Sequence, residues 1–239
     1  MPAIYWLPFA EVSGPVPVEH LHAAFSHWFD TIPACNNGPD DDPHHATVKP
    51  YRLAPVSKRG GGWGMEASVL TEDAFRVLAG RIAAGAGVRL GRLRTTVGTP
   101  IVLQGESWAD LAEWSGETAW RVEFLTPFIS RTGNRSSPFP SPQVVLRAAT
   151  DAWAQFSGHP PLRVAPVDHA QLWVSALDVS TTGVMINGHR HPGAVGHLVY
   201  RAAEPRVAAA ASSLFRLAAY CGMGSFRGKG MGIVRVDAQ

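Results

Sequence analysis

The stretch Gly222-Met-Gly224-Ser-Phe-Arg-Gly228-Lys-Gly230-Met-Gly232 places five glycines in eleven residues. Such a run needs a backbone reason, either positive φ or the close approach of another chain. Upstream, Val207, Ala211, Leu214, Ala218 and Cys221 form the apolar stripe of a helix, and downstream residues 233–236 are strand material. That order excludes a Rossmann fingerprint, which needs a strand before the glycines and a helix after them. It also excludes a Walker A loop, because only three residues separate Gly224 from Gly228 and Gly230 stands where Ser or Thr would bind magnesium. What remains is a helix-to-strand loop carrying Arg227 and Lys229. Its exposed amides and two cations suit an RNA or DNA backbone, although a long flexible turn has the same composition.

Outward from this loop, the second half of the chain reads as a strand at 120–124, where Trp-Arg-Val-Glu-Phe alternates with period two. A Ser/Pro/Arg/Asn-rich loop at 130–142 follows, then a helix marked by Val145, Ala148, Ala149, Ala152, Trp153 and Phe156. Strands at 171–178 and 194–202 flank a polar turn at 181–191. The first half repeats the order. A strand at 4–12 precedes a helix at 19–32, with Leu21, Ala24, Phe25, Trp28 and Ile32 on one face. After a loop at 33–43 come strands at 48–56 and 63–70, a helix capped by Thr71 through Ala83, and strands at 88–93 and 101–104. Two successive βαββαβ units of ~100 residues are the ferredoxin-like plan, shared with the common RNA-recognition module. The predicted fold class is α+β with tandem ferredoxin-like domains, 1–115 and 116–239, joined near residues 112–117.

Composition agrees with a folded chain. Of 239 residues, 46% are hydrophobic and 17% charged, which excludes disorder. No apolar run approaches the ~18 residues of a membrane span, and the N-terminal segment has no basic, apolar leader pattern, so a cytoplasmic protein is expected. Two cysteines, Cys35 and Cys221, cannot make a disulfide framework or a four-cysteine zinc site. Of 21 basic residues only three are lysine, leaving 18 arginines on a chain of net charge +2. Arginine gives forked phosphate contacts that lysine does not, so a nucleic-acid partner is permitted without being required.

A helix ending Ala-Ala-Tyr-Cys, then G-x-G-x-x-x-G-x-G-x-G and a short β-branched strand, resembles the signature of the RAMP superfamily. Within it, the chain is most similar to the CRISPR-associated endoribonuclease that processes precursor CRISPR RNA in type I and type III systems. Lys49-Pro-Tyr-Arg-Leu-Ala-Pro55 is similar to that family's Lys-Pro-aromatic strand, with Ala54 in place of the usual Ser. Leu125-Thr-Pro-Phe128 with Pro138-Phe-Pro-Ser-Pro142, and Gly193-Ala-Val-Gly-His-Leu-Val-Tyr200, resemble two further family stretches in the second domain.

The resemblance implies metal-independent cleavage within the CRISPR repeat. A ribose 2′-OH attacks the adjacent phosphate and leaves 2′,3′-cyclic phosphate and 5′-OH ends. It also implies a histidine in the loop after the first helix, where this chain has His44 and His45, followed by Lys49. An imidazole exchanges protons near neutrality, and a lysine can stabilise the phosphorane charge. His45 is nearer to Lys49, His44 directly follows the loop proline, and both are kept as candidates. Tyr51 is a secondary candidate. Expected RNA contacts are Arg227 and Lys229 with Gly222, Gly224, Gly228, Gly230 and Gly232, then Arg131 and Arg135 flanking Gly133-Asn134, and Arg190 between two histidines. His20, His22 and His27 lack the i, i+4 spacing of paired ligands, and His189 and His191 have no nearby Cys or carboxylate, so no metal or cofactor is expected. The expected partners are precursor CRISPR RNA and further subunits of a CRISPR effector complex, with no membrane. A non-catalytic RNA-binding RAMP subunit would share the glycine loop without needing the histidines.

Overall fold

The computed structural model describes residues 1–30, 32 and 48–239. His44 and His45 lie outside the described residues. The chain divides into two units, Met1–Glu106 with Gly228–Gly230, and Ser107–Arg227 with Met231–Gln239. The split falls nine residues before the expected 115/116 boundary. The helix at Trp108–Ala112 (α3) explains the difference, since Trp108 meets Trp153 edge-on at 5.8 Å and Arg216 donates to the carbonyls of Asp110 and Glu113.

In the first unit the elements are β1 (Ala3–Pro8), α1 (Val18–Phe29), β2 (Tyr51–Leu53), β3 (Ser57–Arg59), β4 (Gly62–Val69), α2 (Glu72–Ala83), β5 (Gly87–Leu90), β6 (Leu93–Thr96) and β7 (Ile101–Gly105). The sheet order is β2-β4-β1-β7, with antiparallel pairing throughout, and β3 also pairs with β4. Alternation in β1 sends Ala3, Tyr5 and Leu7 to one face, opposite Val69, Ala67 and Met65 of β4. Onto this face α1 brings Leu21, Phe25, Trp28 and Phe29, the spacing of one helical stripe, and α2 brings Ala74 and Leu78. Thr71 caps α2 by accepting the Ala74 amide at 3.2 Å, with Glu72 and Asp73 in the first turn to complement the helix dipole. The single strand expected at 88–93 is instead the hairpin β5–β6, because Gly91 turns at φ +69°.

The second unit continues from α3 with β8 (Ala119–Phe128), β9 (Ser130–Thr132), β10 (Arg135–Ser137), α4 (Pro142–Val145), α5 (Arg147–Phe156), β11 (Leu172–Ile186), β12 (His189–Ala202), α6 (Pro205–Cys221) and β13 (Val234–Ala238). Its sheet order, β11-β12-β8-β13, is the same antiparallel arrangement as in the first unit, so each half is a ferredoxin-like βαββαβ sheet. Trp120, Val122 and Phe124 of β8 are buried, as are Leu214, Phe215 and Ala218 of α6. Trp120 stacks on Phe215 at 5.3 Å. Two expectations change here. Residues 130–142 are not a plain loop but begin with the hairpin β9–β10, and the polar turn at 181–191 is mostly ladder, with Ile186 paired to His189 across Asn187-Gly188. No helix among the described residues is long and apolar enough to cross a membrane.

Candidate nucleic-acid interface

The glycine loop follows from how α6 ends. The Gly222 amide donates to the Ala218 carbonyl at 2.8 Å while Gly222 itself turns to φ +75°. Gly224, Gly230 and Gly232 also take positive φ, which is the backbone demand inferred from their density. At Gly224 a side chain would meet the Ile129 carbonyl oxygen at 2.5 Å and the Phe128 ring at 2.9 Å, so both reasons for glycine coincide. The amide of Ser225 donates to that same carbonyl at 2.6 Å, and the Met231 amide donates to the Phe226 carbonyl at 3.3 Å. Phe226, between them, holds φ +60° without being glycine.

Residues 227–229 form a short 3₁₀ turn. Arg227 donates to the Cys221 carbonyl at 3.4 Å and faces Asp151 of α5. Burial pushes the Asp151 carboxyl above its ordinary value, while Arg227 and Arg147 pull it back. Burial pulls the Lys229 ammonium below the ordinary lysine range, opposed by Glu19 on α1. Within the first unit, His22 Nδ1 on α1 lies 3.0 Å from the Gly228 carbonyl, and Gly230 lies against Pro55 and the Leu53 carbonyl. Gly228 does not itself turn to positive φ.

The other predicted cations are distributed as follows. Lys49 is half-buried, with its ammonium 3.4 Å from the Tyr51 hydroxyl and 5.6 Å from the ring centroid. Tyr51 is a buried strand aromatic stacked on Phe29 at 4.0 Å, so it orients Lys49 while closing the core. Arg131 and Arg135 are both exposed on β9–β10. Arg131 lies over the Phe226 ring at 5.4 Å, which joins the hairpin to the glycine loop. Arg190 is exposed on β12, with its guanidinium across the ladder over Gly183. The structure thus brings Arg131 to the loop that carries Arg227.

Three loop contacts went unread in the sequence. The sequence offers His22 only as a metal ligand, whereas its partner is the Gly228 carbonyl, 206 residues away. His191 bonds Ser136 Oγ through Nδ1 at 2.8 Å and sets its ring 4.9 Å from Phe226. Phe226 itself, between Gly224 and Gly228, carries no motif that marks it out. Among the described residues no group of three or more His, Cys, Asp or Glu is placed to hold a metal ion.

Comparison with known proteins points one way. The sequence pattern of the family described as CRISPR-associated endoribonuclease Cas6 matches residues 122–234. Among solved structures, a Cas6 (TTHA0078) product complex is 22% identical with a TM-score of 0.81, covering 100% of both chains. Thermus thermophilus Cas6 (TTHB231) is 22% identical with a TM-score of 0.68, covering 99% of this chain and 98% of that one. A RAMP protein binding different RNA substrates is 15% identical with a TM-score of 0.60, covering 99% of each chain. No curated protein matches the sequence. The chain is thus similar to the CRISPR-associated endoribonuclease Cas6 in sequence over residues 122–234 and to solved Cas6 structures in fold along its whole length.

Proposed function

We propose that this chain is a metal-independent endoribonuclease that cuts precursor CRISPR RNA within its repeats. The observation that carries the reading is the Cas6 match over 122–234, which takes in the β9–β10 hairpin, β12 and the whole glycine loop. The family relationship supports an RNA-cleaving enzyme acting on CRISPR RNA; the chemistry below is our inference for this chain.

A ribose O2′ attacks the adjacent phosphorus and the P–O5′ bond breaks, giving 2′,3′-cyclic phosphate and 5′-OH ends. The proton on O2′ leaves to a base and another is delivered to O5′, both within the range of a histidine. We assign that exchange to His44 or His45. Lys49, held against Tyr51, stabilises the charge that grows on the non-bridging oxygens. Arg227 and Lys229 on the glycine loop, with Arg131, Arg135 and Arg190, bind RNA phosphates, and A-form stems are recognised largely through such backbone contacts.

The test is end-group analysis of repeat RNA cut under single-turnover conditions. The expected 5′ fragment resists phosphatase until acid opens a cyclic phosphate, and either His44→Ala or His45→Ala slows the cut by about 10²- to 10⁴-fold without weakening binding. Fragments ending in a 3′-hydroxyl and 5′-phosphate would overturn the mechanism. Tight binding with no cut would instead favour a structural RAMP subunit.

A further inference from the structure

Phe226 is the one residue of the glycine loop that takes positive φ without being a glycine. An aromatic residue at φ +60° is held in a region that side chains other than glycine rarely occupy. Such a conformation persists only where the surroundings over-determine it, and it clusters at ligand clamps. Here the surroundings are specific. Hydrogen bonds fix the backbone at Ser225 and at the Phe226 carbonyl itself. The ring has the Arg131 guanidinium 5.4 Å from its centroid and the His191 imidazole at 4.9 Å. His191 is tied at 2.8 Å to Ser136, which is the cross-strand partner of Arg131 in β9–β10. The four side chains form a closed circuit, from Arg131 to Phe226 to His191 to Ser136 and back across the ladder to Arg131.

We propose that Phe226 is a positioning residue that holds the Arg131 guanidinium as a preformed phosphodiester site beside the glycine loop. The proposal rests on the RNA-processing reading above and adds to it a residue and a mechanism. Arg131 is exposed and spends one N–H on the Gly133 carbonyl at 3.3 Å. Among the described residues its remaining N–H groups meet no acceptor, so the fork is both fixed and available. A guanidinium over an aromatic face keeps its in-plane donors free, and orienting it beforehand removes the side-chain ordering cost of gripping a phosphate. Lysine would lack both the planar stacking and the forked donors. The ring face taken by Arg131 is closed to a base, so the ligand read here is an RNA phosphate, not a nucleobase.

The experiment is fluorescence anisotropy of the wild type with RNA of the host's CRISPR repeat, and with a uridine oligomer of equal length, across a salt series. Phe226→Leu, Phe226→Tyr, Arg131→Lys, Arg131→Ala and the Phe226→Leu/Arg131→Ala double variant are compared. Phe226→Leu is expected to bind repeat RNA roughly fivefold more weakly and to lower the salt slope by about 0.7 to 0.9, the loss of one phosphate contact. Phe226→Tyr restores wild-type binding, since it keeps the aromatic face. Arg131→Lys keeps the charge and yet weakens binding as Phe226→Leu does. The double variant is no weaker than Arg131→Ala alone. Wild-type affinity and slope in both Phe226→Leu and Arg131→Lys, or additive losses in the double variant, would overturn the proposal. A wild-type chain that fails to bind repeat RNA would overturn the RNA-processing reading itself, a different and distinguishable result.

Discussion

Gly224→Ala separates the two reasons for glycine in the loop, because its cost can be worked out from geometry. The residue sits at φ +75°, where an alanine loses about 1–2 kcal/mol to backbone strain alone. The added methyl carbon would lie 2.5 Å from the Ile129 carbonyl oxygen and must retreat by about 0.9 Å to reach ordinary contact at 3.4 Å. That oxygen also accepts the Ser225 amide at 2.6 Å, so the same retreat breaks a hydrogen bond worth about 1 kcal/mol. The total is about 2–3 kcal/mol. Gly133→Ala is the control, since its φ is +57° but nothing lies within 4 Å of the new carbon, leaving the strain of about 1–2 kcal/mol. Urea unfolding followed by tryptophan fluorescence measures both. Equal destabilisation by the two substitutions would refute the claim that close approach to Ile129, and not positive φ alone, fixes the loop. Loss of the Ser225 anchor should also weaken repeat-RNA binding by about tenfold or more in Gly224→Ala.

Other expectations follow from the charges around the loop. Asp151→Asn removes the carboxylate facing Arg227, so repeat RNA should bind a few-fold more tightly; unchanged or weaker binding by anisotropy would count against an RNA-facing Arg227. The folded chain holds the Asp151 proton above the ordinary carboxylate range, which makes ionised Asp151 a native-state liability at neutral pH, so the same variant should not lower the thermal midpoint. Lys229 titrates below the ordinary lysine range in the free protein, and the phosphate backbone should raise it, which side-chain NMR can follow. In the free protein, stability therefore rises with pH between the depressed and the ordinary lysine values, while RNA affinity falls across the same window; RNA binding that leaves the Lys229 titration unmoved would remove it from the interface. Lys49→Ala should slow single-turnover cleavage by tenfold or more with little change in affinity, whereas a purely affinity-based loss would make Lys49 a binding residue.

The fold was legible where burial imposes a period. Tyr5 and Leu7 on β1, Leu21, Phe25, Trp28 and Phe29 on α1, and Trp120, Val122 and Phe124 on β8 each repeat at the spacing of their element, and each set is buried. It was illegible where no face is buried. The outer half of β11, with Thr181 and Thr182, pairs among the described residues with β12 alone and shows no apolar alternation, so its sequence has the character of a turn. The hairpin β9–β10 has three residues per strand, too few for any pattern to register. At the candidate site the glycine density announced positive φ at Gly222, Gly224, Gly230 and Gly232. Nothing in the local sequence announced that Phe226 shares that region, or that His22 and His191 would meet the loop. Those contacts join residues far apart in the chain, and a single sequence carries no sign of them. His44 and His45, singled out through the resemblance, lie outside the described residues, and their roles rest on the proposal.

The most direct test of the central claim is cleavage of repeat RNA in excess EDTA, with and without a 2′-deoxy substitution at the scissile ribose. The account predicts one cut that proceeds undiminished in EDTA and disappears when the 2′-hydroxyl is removed. A cut that requires added metal, or that survives the 2′-deoxy substitution, would contradict attack by the RNA's own 2′-hydroxyl.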